Sequence, residues 1–137
     1  MTELPKLTPG LSATIQFQVK DTSTARHLGS GTVDVLATPE LVRLMEVAAV
    51  AALSDYLPPG YTSVGVSLDM QHVAPTPVGL GGEVRATLTE VQGRRLKFRV
   101  AGYDDVEEIG RGTHERVLVE VAGFVARADR KLEQLTL

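Results

Sequence analysis

The chain has no cysteine and no tryptophan, three phenylalanines and three tyrosines in 137 residues, and no uncharged apolar run longer than that from Val47 to Leu53. Without cysteine there is no disulfide, no thiolate metal site, no cysteine nucleophile and no thiol redox chemistry. The formal net charge is −3, with charges of both signs scattered singly. That leaves no basic stripe and, with so few aromatics, no stacking platform, which excludes nucleic acid as the expected partner. The apolar run is far too short to span a bilayer, and the opening MTELPKLTPG lacks the charged and apolar regions of a signal peptide. A cytoplasmic protein with no membrane partner is expected. Its length suits one domain over residues 1–137, large enough to bury a core without staples.

What is present centres on LVRLMEVAAVAAL, Leu41 to Leu53, apolar nearly all round except for Arg43 and Glu46. A helix of that character is normally buried, and an isolated carboxylate in a buried place is costly unless it is paired or protonated. Either a structural partner or chemistry that uses a shifted carboxylate must account for Glu46. ATPE precedes it: Thr38 suits a helix cap, Pro39 the first helical position, and Glu40 the positive end of the dipole. The helix is predicted from about Pro39 to about Tyr56, ended by PPG at Pro58 to Gly60.

Alternation with period two marks the strands. ATIQFQV turns Ala13, Ile15, Phe17 and Val19 one way, and after a long polar connection and the helix, YTSVGVSLDMQH alternates through Val64, Val66, Leu68 and Met70 to His72. EVRATLTEV, RLKFRVAGY and GTHERVLVEVAGFVA follow as strand candidates, with Gly93 centring the turn QGRR and the polar DDVEEIG as a second turn. The tail ADRKLEQLTL reads as a short surface helix or frayed end. Strand, loop, buried helix and four hairpin-joined strands make an α+β arrangement, in which an antiparallel sheet curls round the helix and a second subunit covers what remains.

His72 ends the inward apolar series and can reach the helix that carries Glu46. Either it is a neutral core histidine bonded to backbone, or with Glu46 it forms an acid/base pair. Glu46 could equally sit in an ion pair with Arg43 or an arginine of the sheet. Thr38 is an ordinary N-cap, or a hydroxyl beside free helix amides that could bind an oxyanion, or both. His114 falls opposite Val117, Val119 and Val121 and reads as structural or surface, and His27 as solvated. GSGTVD and GRGTHE lack the third glycine of a dinucleotide loop, no nucleophile-elbow serine occurs, and the histidines are too dispersed for zinc. No cofactor and no metal are expected.

ATPELVRLMEVAAVAAL, SVGVSLDMQHVAPTPVG, VQGRRLKFRV and VEEIGRGTHERVLV together resemble the fluoroacetyl-CoA thioesterase-like family, over nearly the whole chain after the first dozen residues. The resemblance implies a hotdog fold and hydrolysis of an acyl-CoA thioester in a homodimer, or a pair of dimers. It assigns the family's threonine, glutamate and histidine to Thr38, Glu46 and His72, and a glycine close to substrate to Gly65. Coenzyme A would run along the subunit seam; the basic pair Arg94 and Arg95 either meets its phosphates or is simply a solvated hairpin turn, the commoner case. The fluoroacetyl specialist carries aromatic residues before its threonine; GSGTVDVL has none, which points to a more general short, medium or aromatic acyl group. An acyl-CoA hydratase or dehydratase, and a non-catalytic acyl-CoA binder in which Glu46 and His72 satisfy each other, are the alternatives. Thr38 and Glu46 are eight residues apart, about 12 Å at ~1.5 Å per residue, so a site using both should draw on two chains.

Overall fold

A computed structural model describes residues 4–135; the first three residues of the opening segment and the last two of the tail lie outside them. The order is β1 (Ser12–Gln18), a 3-10 turn (Asp21–Ser23), α1 (Ala25–Leu28), α2 (Thr38–Leu53), β2 (Tyr61–His72), β3 (Gly81–Gln92), β4 (Arg95–Asp104), β5 (Glu108–Glu120) and α3 (Val121–Leu135). The five strands form one antiparallel sheet in the order β1-β3-β4-β5-β2, so β1 and β2 are its edges.

Helix α2 lies across this sheet. Leu41, Met45, Ala48, Ala49, Ala52 and Leu53 pack with Val84, Ala86 and Leu88 of β3, Leu96, Phe98 and Val100 of β4, and Ile109 and Leu118 of β5. Three alanines on the contact face allow a close approach, and removal of this apolar area from water at roughly 25 cal/mol per Å² is the main force holding helix to sheet. The helix is not covered all round. Arg43, Val47 and Val50 are exposed and Glu46 half so, a stripe at i, i+3, i+4 and i+7 that no part of the described chain covers.

The helix ends at Leu53, three residues before the expected Tyr56. The amide and hydroxyl of Ser54 both turn back to the Ala51 carbonyl, at 3.4 and 3.1 Å, which tightens the last turn and closes it. β5 begins at Glu108, so EEIG belongs largely to the strand. It stops at Glu120 because its neighbour β2 starts at Tyr61, the last residue in register with it. With no strand left to pair, VAGFVA continues as helix α3 instead of strand.

Two shifts of register correct the strand phases. A bulge between Gly65 and Ser67 breaks the expected run in β2: Ser63 points inward, Val66 is 56% exposed on the bulge, and the inward series resumes at Leu68, Met70 and His72. In β5 the inward residues are His114, Arg116 and Leu118, not Val117 and Val119.

Candidate active site

The start of α2 is held from both sides. Leu36 donates its amide to the Thr76 carbonyl at 2.8 Å and Ala37 donates to Ser23 at 3.0 Å. Thr76 is itself fixed by its hydroxyl, which donates to the buried Asp104 at 2.9 Å, and Asp104 also accepts the Val106 and Glu107 amides. Beneath the first turn, Gly102 and Gly110 are opposite one another in the β4–β5 ladder, and Gly110 is opposite His72 in the β5–β2 ladder. A Cβ at these glycines would stand 3.1 and 2.8 Å from the two methyls of Leu41. The absence of side chains there lets Leu41 settle onto the sheet and brings the helix start beside His72.

Thr38 is consequently not the cap. The cap is Ala37, without a side-chain bond, and Thr38 is the first helical residue with Pro39 second. Its hydroxyl points to the ring of His72, Oγ1 to Nδ1 at 2.7 Å. The Glu40 and Leu41 amides both donate to the Ala37 carbonyl at 3.1 Å and Pro39 has no N–H, which leaves the Thr38 amide as the open donor of the first turn. His72 is half-buried; burial lowers its pKa below the ordinary value, opposed by the Ala74 backbone. Its other ring nitrogen, Nε2, is buried and has no hydrogen-bond partner among the described residues. Thr38 and His72 open onto a cleft of about 300 Å³ whose walls include Ala25, Ser30, Val35 and Ala74.

Glu46 is elsewhere. Its side chain is 46% exposed, contrary to the expected burial, and its partner is Arg116, Nη1 to Oε2 at 3.6 Å, an ion pair without a hydrogen bond. Arg43 pairs with Glu40 instead. Arg116 is buried at 5% exposure, donating to the Ser63 hydroxyl at 2.8 Å and the Ser63 carbonyl at 3.0 Å. It also faces His114 Nε2 at 3.1 Å, while His114 Nδ1 meets the Ser67 carbonyl at 2.8 Å. Both contacts fit one tautomer only, with the proton on Nδ1 and Nε2 accepting from arginine. Burial first, then the neighbouring guanidinium, lower the His114 pKa, against the Ser67 carbonyl and Glu46. Burial also lowers that of Arg116, opposed by Glu46.

Gly65 belongs to this second cluster: a Cβ there would stand 2.9 Å from Glu46 Oε2. One chain therefore brings Thr38 to His72, and Glu46 to Gly65, but does not bring Glu46 to either Thr38 or His72. Of the basic pair, Arg95 bonds Glu115 at 2.9 Å and Arg94 reaches the Leu118 carbonyl at 3.4 Å. His114, expected as structural or surface, is buried, and Arg116 is the arginine of the sheet that was one expected partner of Glu46, although the sequence reading did not name it. The signal available for them was the i, i+2 spacing in HER, which puts both on whichever face His114 takes.

The helix-in-sheet frame is that of the hotdog-like proteins of the thioesterase superfamily; a superfamily member from Thermus thermophilus superposes with a TM-score of 0.90 at 27% identity, over 97% of this chain and 98% of its own. The fluoroacetyl-CoA thioesterase of Streptantibioticus cattleyicolor is 42% identical over 124 residues, 86% of this chain and 89% of the relative. A solved fluoroacetyl-CoA thioesterase, a threonine-to-serine variant in complex with acetyl-CoA, superposes with a TM-score of 0.86 at 40% identity, covering 91% of this chain and 98% of its own. The profile of the fluoroacetyl-CoA-specific thioesterases matches residues 19–122, and the chain belongs to that family, as an enzyme that hydrolyses acyl-CoA thioesters.

Proposed function

We propose that the active site is assembled from two copies of the chain, Thr38 and His72 from one and Glu46, beside Gly65, from the other, in a cytoplasmic single-domain homodimer. The observation that carries this is the orphaned Nε2 of His72. For the imidazole to take the Thr38 proton, or that of a water in its place, Nδ1 must be the acceptor, and Nε2 then carries a hydrogen. A buried donor left unpaired costs about 1–3 kcal/mol, and the chain's own Glu46 is about 12 Å away along α2 at ~1.5 Å per residue. A two-fold axis reverses the second copy, so that the mid-helix carboxylate of one α2 approaches the helix start of the other. The open stripe of Arg43, Val47 and Val50 and the free edge of β2 are the surfaces left for that contact.

In this site the thioester oxygen lies against the Thr38 amide at the positive end of α2. His72 removes a proton from the Thr38 hydroxyl or from water, the oxygen so freed adds to the carbonyl carbon, and the C–S bond breaks. Coenzyme A leaves as thiol, taking the proton from His72, while Glu46 balances the imidazolium. If Thr38 attacks, water then cleaves the acyl-threonine ester by the same route.

The acyl group faces the cleft beside Thr38, whose small and aliphatic walls have no aromatic lid. That supports short- to medium-chain acyl-CoA over a fluorinated group alone. A panel of acyl-CoAs assayed with a thiol reagent tests the reading: thiol release across acetyl, butyryl and hexanoyl substrates is expected, with no enoyl absorbance change. Turnover confined to fluoroacetyl-CoA would overturn the substrate assignment.

A further inference from the structure

His114 is buried and titratable, yet it has no part in the proton transfers of Thr38, His72 and Glu46. Its ring is held firmly. Leu68 of β2 and Phe98 of β4 are its neighbours in register, the Phe98 ring centroid is 6.2 Å away, and Nδ1 is bonded to the Ser67 carbonyl at 2.8 Å. Nε2 is therefore a fixed acceptor, and what it accepts is a hydrogen of Arg116 Nη1 at 3.1 Å. The charges that face the ring are Arg116 from its own strand and Glu46 from α2, while β2 and β4 bring to it a carbonyl and apolar side chains.

The other guanidinium nitrogens of Arg116 are also held by neutral acceptors, Nε by the Ser63 hydroxyl at 2.8 Å and Nη2 by the Ser63 carbonyl at 3.0 Å. With all three nitrogens engaged, Nη1 stands 3.6 Å from Glu46 Oε2, beyond the roughly 2.7–2.9 Å of a charge-assisted bond. A guanidinium released at this distance would close onto the carboxylate, and a carboxylate that accepts such a bond is a weaker base with one lone pair fewer to offer. The margin is narrow. A Cβ at Gly65 would stand 2.9 Å from Glu46 Oε2 and 3.4 Å from both Arg116 Nη1 and His114 Cε1, so the three side chains converge on one point of β2. We propose that His114 is a positioning residue for the hydrolysis: by accepting a hydrogen of Arg116 Nη1 it holds the guanidinium off Glu46, and so leaves that carboxylate free to face the His72 imidazolium of the other copy. The inference rests on the two-chain reading, in which Glu46 balances that charge. It also makes acid a brake, because a protonated His114 cannot accept and releases Nη1 to Glu46.

The test measures kcat and KM for acetyl-CoA, per folded molecule, in His114→Leu, His114→Gln and Ser63→Ala, and in His114→Leu combined with Glu46→Gln. His114→Leu removes the acceptor and should lower kcat by about tenfold, the size of one charge-assisted hydrogen bond, with KM unchanged. His114→Gln restores an acceptor and should restore kcat at neutral pH. Ser63→Ala frees Nε without touching the ring, should lower kcat in the same direction, and carries the test if His114→Leu does not fold. On acidification the kcat of His114→Gln relative to wild type should rise from about one towards about ten as wild-type His114 gains its proton; a histidine that serves packing alone would leave the ratio constant. On the Glu46→Gln background His114→Leu should have no further effect, since its action passes through the missing carboxylate. Unchanged kcat in the folded His114→Leu and Ser63→Ala variants, a ratio constant with pH, or an equal loss with and without Glu46 would each overturn the proposal. Glu46→Gln alone reads the underlying site separately: wild-type kcat there removes Glu46 from the reaction, whereas a failure confined to His114 leaves the Glu46→Gln loss in place.

Discussion

Glu46 shows what one residue can and cannot announce in a sequence. An acid in an apolar helix must be explained, but its explanation is Arg116, seventy positions later and buried with bonds to Ser63 and His114. Arginine in a strand that reads VLVEV gives no hint of its direction, because alternation cannot choose a face when apolar residues occupy both. His114 was read with the wrong phase for the same reason. Its position now predicts a pH effect. Folded His114 is held neutral by burial and by Arg116, so its folded pKa is below the ordinary value near 6.5. The unfolded chain binds that proton first as pH falls. The stabilisation from His114 is therefore complete above about pH 6.5 and declines as the pH drops from there through the lower folded value. His114→Gln keeps a donor for the Ser67 carbonyl and an acceptor for Arg116 without a titration. Denaturant midpoints between pH 7.5 and 5 should show wild type losing its advantage over the variant on acidification; a constant difference would mean that His114 titrates alike in both states.

At the scale of elements, α2 and the strands were legible because each has one apolar face and a clean period, and β4 shows the simplest case, with Leu96, Phe98 and Val100 all inward. The bulge in β2 was not legible, since Gly65 and Val66 fit the alternation that the bulge interrupts. Nor was the placement of Thr38, which depends on the Gly102 and Gly110 floor under Leu41, a contact between three elements. That floor makes a prediction. Gly110→Ala puts a methyl within 2.8 Å of Leu41 and 3.3 Å of the Gln71 carbonyl. The Leu41 side chain can yield where the carbonyl cannot, so the fold should survive while the first turn of α2 lifts from His72. A displacement near 1 Å in a reacting pair is worth on the order of 10²-fold in rate, and kcat should fall by roughly ten- to a hundredfold. Gly110→Ala with Leu41→Val should recover part of that loss. Unchanged kcat in a folded single variant would show that the helix start is not set by this contact.

At the scale of the whole molecule, the exposed stripe of α2 and the free edge of β2 are surfaces that the described chain leaves uncovered, and Nε2 of His72 is buried without a partner among the described residues. The eight-residue separation of Thr38 and Glu46 was readable from the sequence and is the first support for the two-chain proposal. The orphaned nitrogen was not, because it depends on how β2 and α2 are packed. Complementation between inactive variants distinguishes a shared site from a site within one chain. Glu46→Gln alone and His72→Asn alone should each lose roughly 10²-fold or more in kcat, the usual size of a lost acid/base group. In a mixed dimer one site takes Thr38 and His72 from the first variant and Glu46 from the second, so it is intact, while the other carries both substitutions. After unfolding and refolding an equal mixture, about half of the dimers are mixed and each has one good site of two, so activity should return to about a quarter of the wild-type value. Two inactive proteins that stay inactive when refolded together, in dimers shown by mass spectrometry to be mixed, would place all three residues in the site of a single chain or remove Glu46 from it.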